Sequence, residues 1–237
     1  MSAPITFATN PDAAYAQFLE DGFFIEPDVL TAAECDQIIA AAERLPTARD
    51  GTYTPMMNVH KLDETFVDIM SHPTIVGIMR RLVNGTPCGL HTQMFFTPPQ
   101  RAGLGVHQDN YFVEAKADAF ASAWVPLVDV TTENGGLYAY PASHKDGPLP
   151  VAVADTTGDK RQTIYEETVV PAHWEKRDIS IKRGSVLFLH GYNVHGSYQN
   201  TSQNKRYVIL NTYIREGEAF RPGSTAKREQ FPLKLAS

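Results

Sequence analysis

Seven short runs of β-branched and aromatic residues follow one another after Cys88, at 90–96, 119–130, 137–140, 164–170, 179–181, 185–189 and 207–213. Asn134-Gly135 and Arg183-Gly184 are strong turn signals between them, and few helical patterns interleave. Many short strands joined by turn chemistry cannot bury themselves as a bundle or as alternating βαβ units. They close as a sandwich or a jelly roll.

The first third has the opposite character. Residues 13–19 form a helical stretch that ends at Gly22, and Thr31 with Glu34 has capping-box spacing, which predicts a helix to about Leu45. Pro73 suits the first turn of another, with Ile75, Ile78, Met79 and Leu82 as its apolar stripe. The 237 residues are therefore expected to form one mainly β domain: a helical part at about 11–85 that buttresses a β core at about 88–214. A chain of this length can bury roughly 70–75% of its unfolded surface.

The net charge of -6 and pI near 5.7 argue against a nucleic-acid partner, which needs clustered Lys and Arg. The one basic cluster, Met79-Arg-Arg81, reads as a solvated helix end. With no apolar run of about 18 residues and no charged-then-apolar leader, neither a membrane span nor secretion is expected. Cys35 and Cys88 lack metal or framework spacing and read as free, buried thiols in a reducing cytoplasm. Asn200-Thr-Ser202 then reads as a chance glycosylation sequon in a turn.

The chemistry concentrates in four residues. His107-Gln-Asp109 is followed 86 residues after Asp109 by His195, and then by Arg206. Two imidazoles and a carboxylate are the facial triad that holds ferrous iron on three sites and leaves three open. On an extended backbone, residues two apart project to one side, which would let His107 and Asp109 grip one ion. Arg206 heads the apolar face Arg206, Val208, Leu210, where a guanidinium is costly to bury without an anion. Zinc also accepts His and carboxylate ligands, so a zinc hydrolase stands as an alternative at this point, as does a metal-binding or sensory jelly roll without turnover.

From about Phe18 to Tyr213 the chain resembles the phytanoyl-CoA dioxygenase family of iron(II)/2-oxoglutarate oxygenases. The resemblance rests on Phe18-Leu-Glu-Asp-Gly-Phe23, His107-Gln-Asp109, Trp124, Glu133-Asn-Gly-Gly-Leu137, Pro141-Ala-Ser-His-Lys145, His195-Gly-Ser197 and Arg206, in that order. It implies a double-stranded β-helix (a cupin-like jelly roll) with the ligands at the mouth of the barrel. It further implies Fe(II), 2-oxoglutarate and O2, with ascorbate as an accessory reductant, and a small-molecule substrate; the oligomeric state is left open. His195, rather than His190, is the second ligand it implies, because Gly-Ser and then Arg follow at the family interval. Arg206 would receive the far carboxylate of 2-oxoglutarate, with Ser197, Trp124 and Met94 beside it.

A lysine common in the family near 94–98 is replaced by Thr97, and Met56-Met-Asn-Val-His60 has none either. Alignment puts Asn58, His60, Gln93, Tyr111 and Phe112 around the substrate mouth. His72, His144 and His173 read as solvent-facing, 98–106 as a loop into the metal segment, and 142–162 as an active-site flap. Hydroxylation of an aliphatic carbon, releasing succinate and CO2, is the expected activity, since Asp109 occupies the position that related halogenases vacate. Desaturation, epimerisation, cyclisation or demethylation by the same chemistry are its alternatives.

Overall fold

The structure, a computed structural model, describes residues 4–154 and 166–234. Helices form where caps and apolar spacing coincide. α1 (Pro11–Asp21) starts at Asn10, whose side chain accepts from the Ala13 amide, and stops at Gly22, whose φ of +79° a side chain would resist. A four-residue strand, β1 (Phe23–Glu26), follows. α2 (Ala32–Ala42) opens with the expected reciprocal Thr31–Glu34 box. It ends three residues before Leu45, because Pro46 begins the separate turn α3 (Pro46–Arg49) and holds Leu45 extended. After β2 (Met56–Met57) come α4 (Thr65–Met70), which the sequence reading did not anticipate, and α5 (Pro73–Leu82).

The β part comprises β3 (Pro87–Thr97), β4 (Phe120–Pro126), β5 (Leu137–Ala139), β6 (Val151–Val153), β7 (Glu166–Thr168), β8 (Arg177–Asp178), β9 (Val186–His190), β10 (His195–Ser197) and β11 (Arg206–Arg215). Every pairing is antiparallel. The large sheet runs β1-β9-β4-β11-β3-β2, the small one β10-β5-β8, and β6 pairs with β7. This is the expected mainly β jelly roll.

The large sheet is buried on both faces. Phe24, Met94, Phe96, Ala123, Val125, Phe188 and Ile209 join the helices in the larger core. Their strand neighbours Phe23, Trp124, Leu187, Leu189, Val208 and Leu210 join the small sheet's Leu137 and Ala139, and Ile179 just after β8, in the second. Period-two alternation thus divides each central strand between two apolar environments, which is why these runs are continuously rather than alternately apolar.

Three strand boundaries differ from expectation. The 119–130 run leaves the sheet after Pro126. Ile179 and Ile181 make only backbone bonds to Leu137 and Val130, and the paired segment is β8, just before them. Of the 164–170 run, 166–168 is strand and 164–165 lies outside the described residues. The expected flap at 142–162 contains a 3-10 turn (Ser143–Asp146) and β6; its residues 155–162 also lie outside the described ones. Both cysteines are free and buried. No helix among the described residues is long and apolar enough to cross a membrane.

Candidate metal centre

His107 and His195 face each other in an isolated antiparallel bridge, their amides donating to each other's carbonyls at 2.9 and 3.0 Å. The His107-Gln-Asp109 segment is not a strand, contrary to the sequence reading. The backbone is extended only to Gln108, and Asp109 opens a 3-10 turn, Asp109–Tyr111. Polar anchoring on both sides of Asp109 imposes this turn. The buried Gln108 carboxamide donates to the Gly147 and Tyr192 carbonyls and accepts from the Leu149 amide. The Asn110 side chain, also buried, closes a ring of bonds with the backbone of Ala115. Asp109 therefore comes to the same side as His107 by a tight turn rather than by strand alternation.

The three candidate donor atoms lie within 4.8 Å of one another. Nε2 of His107 is 3.5 Å and Nε2 of His195 is 3.9 Å from Oδ1 of Asp109. Each imidazole is oriented from behind: Nδ1 of His107 meets the Gly105 carbonyl at 2.8 Å, and Nδ1 of His195 meets that of Asn193 at 3.0 Å. A carbonyl only accepts, so Nδ1 carries the proton and the Nε2 lone pair points inward. The Ser122 hydroxyl donates to Oδ2 of Asp109 at 2.7 Å and leaves Oδ1 for an ion.

The electrostatics agree with that division. Burial lowers His195 to about 4, which keeps it neutral at pH 7. Burial also pushes the Asp109 carboxyl upward, but the charge that His107 and His195 carry when protonated and the Ser122 hydroxyl more than reverse this and hold it well below the usual carboxylate range. Two imidazole nitrogens and one carboxylate oxygen, mutually close, suit iron(II).

Arg206 lies on the wall of the same narrow cavity as His107, Asp109 and His195, together with Thr97, Trp124 and Ser197. Its guanidinium is buried, donating to the Gly135 carbonyl and, at 2.8 Å, to Thr97 Oγ1, and lying 5.6 Å from the centroid of the Trp124 ring. Nε has no partner, and among the described residues no carboxylate pairs with this cation. Burial lowers its pKa to about 10, which still leaves it charged at pH 7. Thr97 thus orients Arg206. Thr97 is in turn held by Asn200, whose fully buried amide donates to the Thr97 carbonyl at 2.7 Å. That burial also removes the sequon from the surface.

Ser197 lines this cavity, and its hydroxyl accepts from the Leu104 amide at 2.7 Å, drawing the 98–106 loop onto β10. At Gly103 a side-chain carbon would stand 1.9 Å from the Ser197 carbonyl oxygen, so only glycine permits that approach. Met94 does not reach the cavity. It sits on the other face of β3, in the helix-backed core, because Gln93, Phe95 and Thr97 take the inward positions.

A second cavity of about 510 Å³ shares His107 and Asp109 with the first. Gln93 and Phe112 line it, as the sequence reading expects of substrate residues. Asn58, His60 and Tyr111 do not. Asn58 donates to the Ala226 carbonyl, His60 stacks on Phe231 and bonds Thr92, and the Tyr111 hydroxyl bonds Glu166. They support the surrounding loops rather than the wall. His144, expected in solvent, is half-buried against His190, with ring centroids 4.8 Å apart and its Nε2 against the Leu19 carbonyl.

Sequence reasoning missed Ser122, His91 and the C-terminal segment 221–228, all close to the site. Ser122 was discoverable, since it lies two residues before Trp124 on one strand face. The C-terminal segment carries no local signal, because it reaches the cavity only by chain return after β11.

The family model described as Phytanoyl-CoA dioxygenase (PhyH) matches residues 18–208. A "Phytanoyl-CoA dioxygenase" of Arabidopsis thaliana is 30% identical over 181 residues, 75% of this chain and 62% of the relative. A rice "Phytanoyl-CoA dioxygenase 1" is 28% identical over 64% of this chain and 53% of its own length, so the chain spans between half and two thirds of these relatives. Among solved structures, the epimerase SnoN in complex with Fe3+, alpha ketoglutarate and nogalamycin RO has a TM-score of 0.74 at 22% identity, covering 95% of this chain and 97% of that one. The carbocyclase SnoK from nogalamycin biosynthesis has a TM-score of 0.74 at 21% identity, covering 94% and 91%. At these identities the solved structures establish a shared fold.

Proposed function

Because the chain belongs to the phytanoyl-CoA dioxygenase family, we propose that it is an iron(II)/2-oxoglutarate dioxygenase that oxidises an aliphatic carbon of a small molecule, hydroxylation being the default outcome. The observation that carries this reading is one cavity joining the His107, Asp109 and His195 donors to a buried guanidinium that has no carboxylate partner among the described residues. When bound, iron and 2-oxoglutarate supply the oxidising power: O2 is consumed, the cosubstrate leaves as succinate and CO2, and one oxygen atom enters the substrate.

The protein's own part is orientation and exclusion of water. His107, Asp109 and His195 would hold the metal, each fixed by its second hydrogen bond to Gly105, Ser122 or Asn193. Arg206, oriented by Thr97 and the Gly135 carbonyl, would receive the distal carboxylate of 2-oxoglutarate, with Trp124 flanking the guanidinium. Ser197 acts through the 98–106 loop, whose Leu104 lines both cavities. The larger cavity, which also reaches His107 and Asp109, would take the substrate. The two free buried thiols suit a reducing, cytoplasmic setting.

The test is conversion of 2-oxoglutarate to succinate by the iron-loaded chain, followed by a metabolite screen for stimulated release. A product heavier by one oxygen atom supports hydroxylation; one lighter by two hydrogens assigns desaturation. No succinate under any condition overturns the enzyme reading.

A further inference from the structure

The larger cavity has a cation of its own. Arg228, on the segment that returns across the cavity after β11, lines it together with His91, Gln93 and Arg221. The side-chain hydrogen bonds that Arg228 makes among the described residues all run from Nη1 to backbone carbonyls, Phe112 at 2.9 Å and Arg221 and Pro222 at 3.4 and 3.5 Å. Nη1 is thereby fixed, Nη2 donates to no described residue, and Nε is buried without a partner. Arg221, by contrast, is neutralised by Glu114 at 2.9 Å and clasps the Tyr111 and Phe112 carbonyls.

Arg228 is therefore an oriented guanidinium on a cavity wall with no ion-pair partner among the described residues, an arrangement that favours an incoming anion. His91 adds a polar neighbour of fixed orientation. Its Nδ1 meets Thr212 Oγ1 at 2.7 Å, so Nε2 is the ring atom left for a ligand. The apolar part of the wall is formed by side chains that include Phe95, Phe112, Val113 and Phe120, beside the hydroxyl-bearing Thr212, Ser224 and Thr225.

We propose that the substrate is an organic anion with an apolar body, whose carboxylate or phosphoryl group is bound by Arg228 while its carbon chain lies toward Asp109. This rests on the dioxygenase reading and names the substrate class for the same site. The two guanidiniums divide the work: Arg206 serves the smaller cavity and Arg228 the larger, and both cavities reach His107 and Asp109.

The experiment is calorimetric titration of the full chain loaded with nickel(II), which cannot turn over. 2-Oxoglutarate is titrated first; failure to bind here counts against the dioxygenase reading and not against Arg228. With 2-oxoglutarate saturating, three matched probe series follow: straight-chain and aryl carboxylates, the corresponding phosphate monoesters, and the corresponding primary amides. Anions of one or both series should bind at least tenfold more tightly than the amides, and whichever binds identifies the headgroup. Raising the salt should weaken the anions and leave the amides unchanged.

Arg228→Met should remove the tenfold preference and Arg228→Lys should keep part of it. If Arg228→Met fails to fold, the lysine variant and the salt dependence decide. Amides binding as well as anions, no probe binding, or an anion preference that survives loss of Arg228 would each overturn the proposal.

Discussion

Ser122→Ala isolates one contribution to the metal centre. The Ser122 hydroxyl is fully buried on β4 and donates at 2.7 Å to the oxygen of Asp109 that faces away from the imidazoles. A hydrogen bond to a buried charged acceptor contributes about 1.5–3 kcal/mol. The carboxylate needs it most when metal-free, but the bond also fixes which oxygen points inward, and this orientation is what an ion selects. Removing one hydroxyl leaves a void smaller than a methyl group, so the packing penalty is small beside the polar one. Metal affinity should therefore fall by roughly 10–100-fold, with the fold and the neighbouring pairing to β11 intact. The assay is competition against a chelating dye for nickel(II), with circular dichroism and thermal denaturation as the controls for folding. Ser122→Thr, which restores the hydroxyl, should recover part of the affinity. Equal metal affinity in wild type and Ser122→Ala would refute the claim that this bond orients Asp109.

Asp109→Ala should abolish both tight metal binding and succinate release, as measured by metal content and by the coupled assay. Arg206→Gln strips the cation from its cavity and should weaken 2-oxoglutarate by roughly thirtyfold or more, at about 2–5 kcal/mol for a buried charge pair, read by calorimetry; unchanged affinity would remove Arg206 from the cosubstrate site. Gly103→Ala would press a methyl against the Ser197 carbonyl at 1.9 Å and should cost about 1–3 kcal/mol by overpacking, visible as a lower melting temperature. Burial, and then the nearby His144, lower His190 to about 4, so the fold refuses a proton that the unfolded chain accepts below its ordinary value of 6.5. Stability is then unaffected at pH 7 and declines as pH falls from about 6.5 toward 4, by about 2 kcal/mol at pH 5 from this group. Urea midpoints at pH 7 and pH 5 check it: His190→Gln should show a distinctly smaller drop than wild type, and an equal drop would refute the assignment.

Local patterns in the sequence determined much of this protein. Short β-branched and aromatic runs with turn residues between them specified a sandwich or jelly roll. The capping box at Thr31 and the proline at 73 placed helix starts, and the separated motifs nominated His107, Asp109, His195 and Arg206. Each of these is a short-range signal, set by which residues fit a backbone conformation or a chemical task. What depended on chain return could not be read that way. Met94 and Gln93 are adjacent, yet only the sheet's burial on both faces sends one into the helix-backed core and the other into the cavity. The turn at Asp109 comes from bonds that Gln108 makes to residues about 40 and 84 positions away. Arg228 reaches the same cavity as Asp109 across more than a hundred residues of chain. Residue preferences act over a few positions, whereas a cavity wall is assembled from distant segments whose meeting is fixed only when the whole core packs.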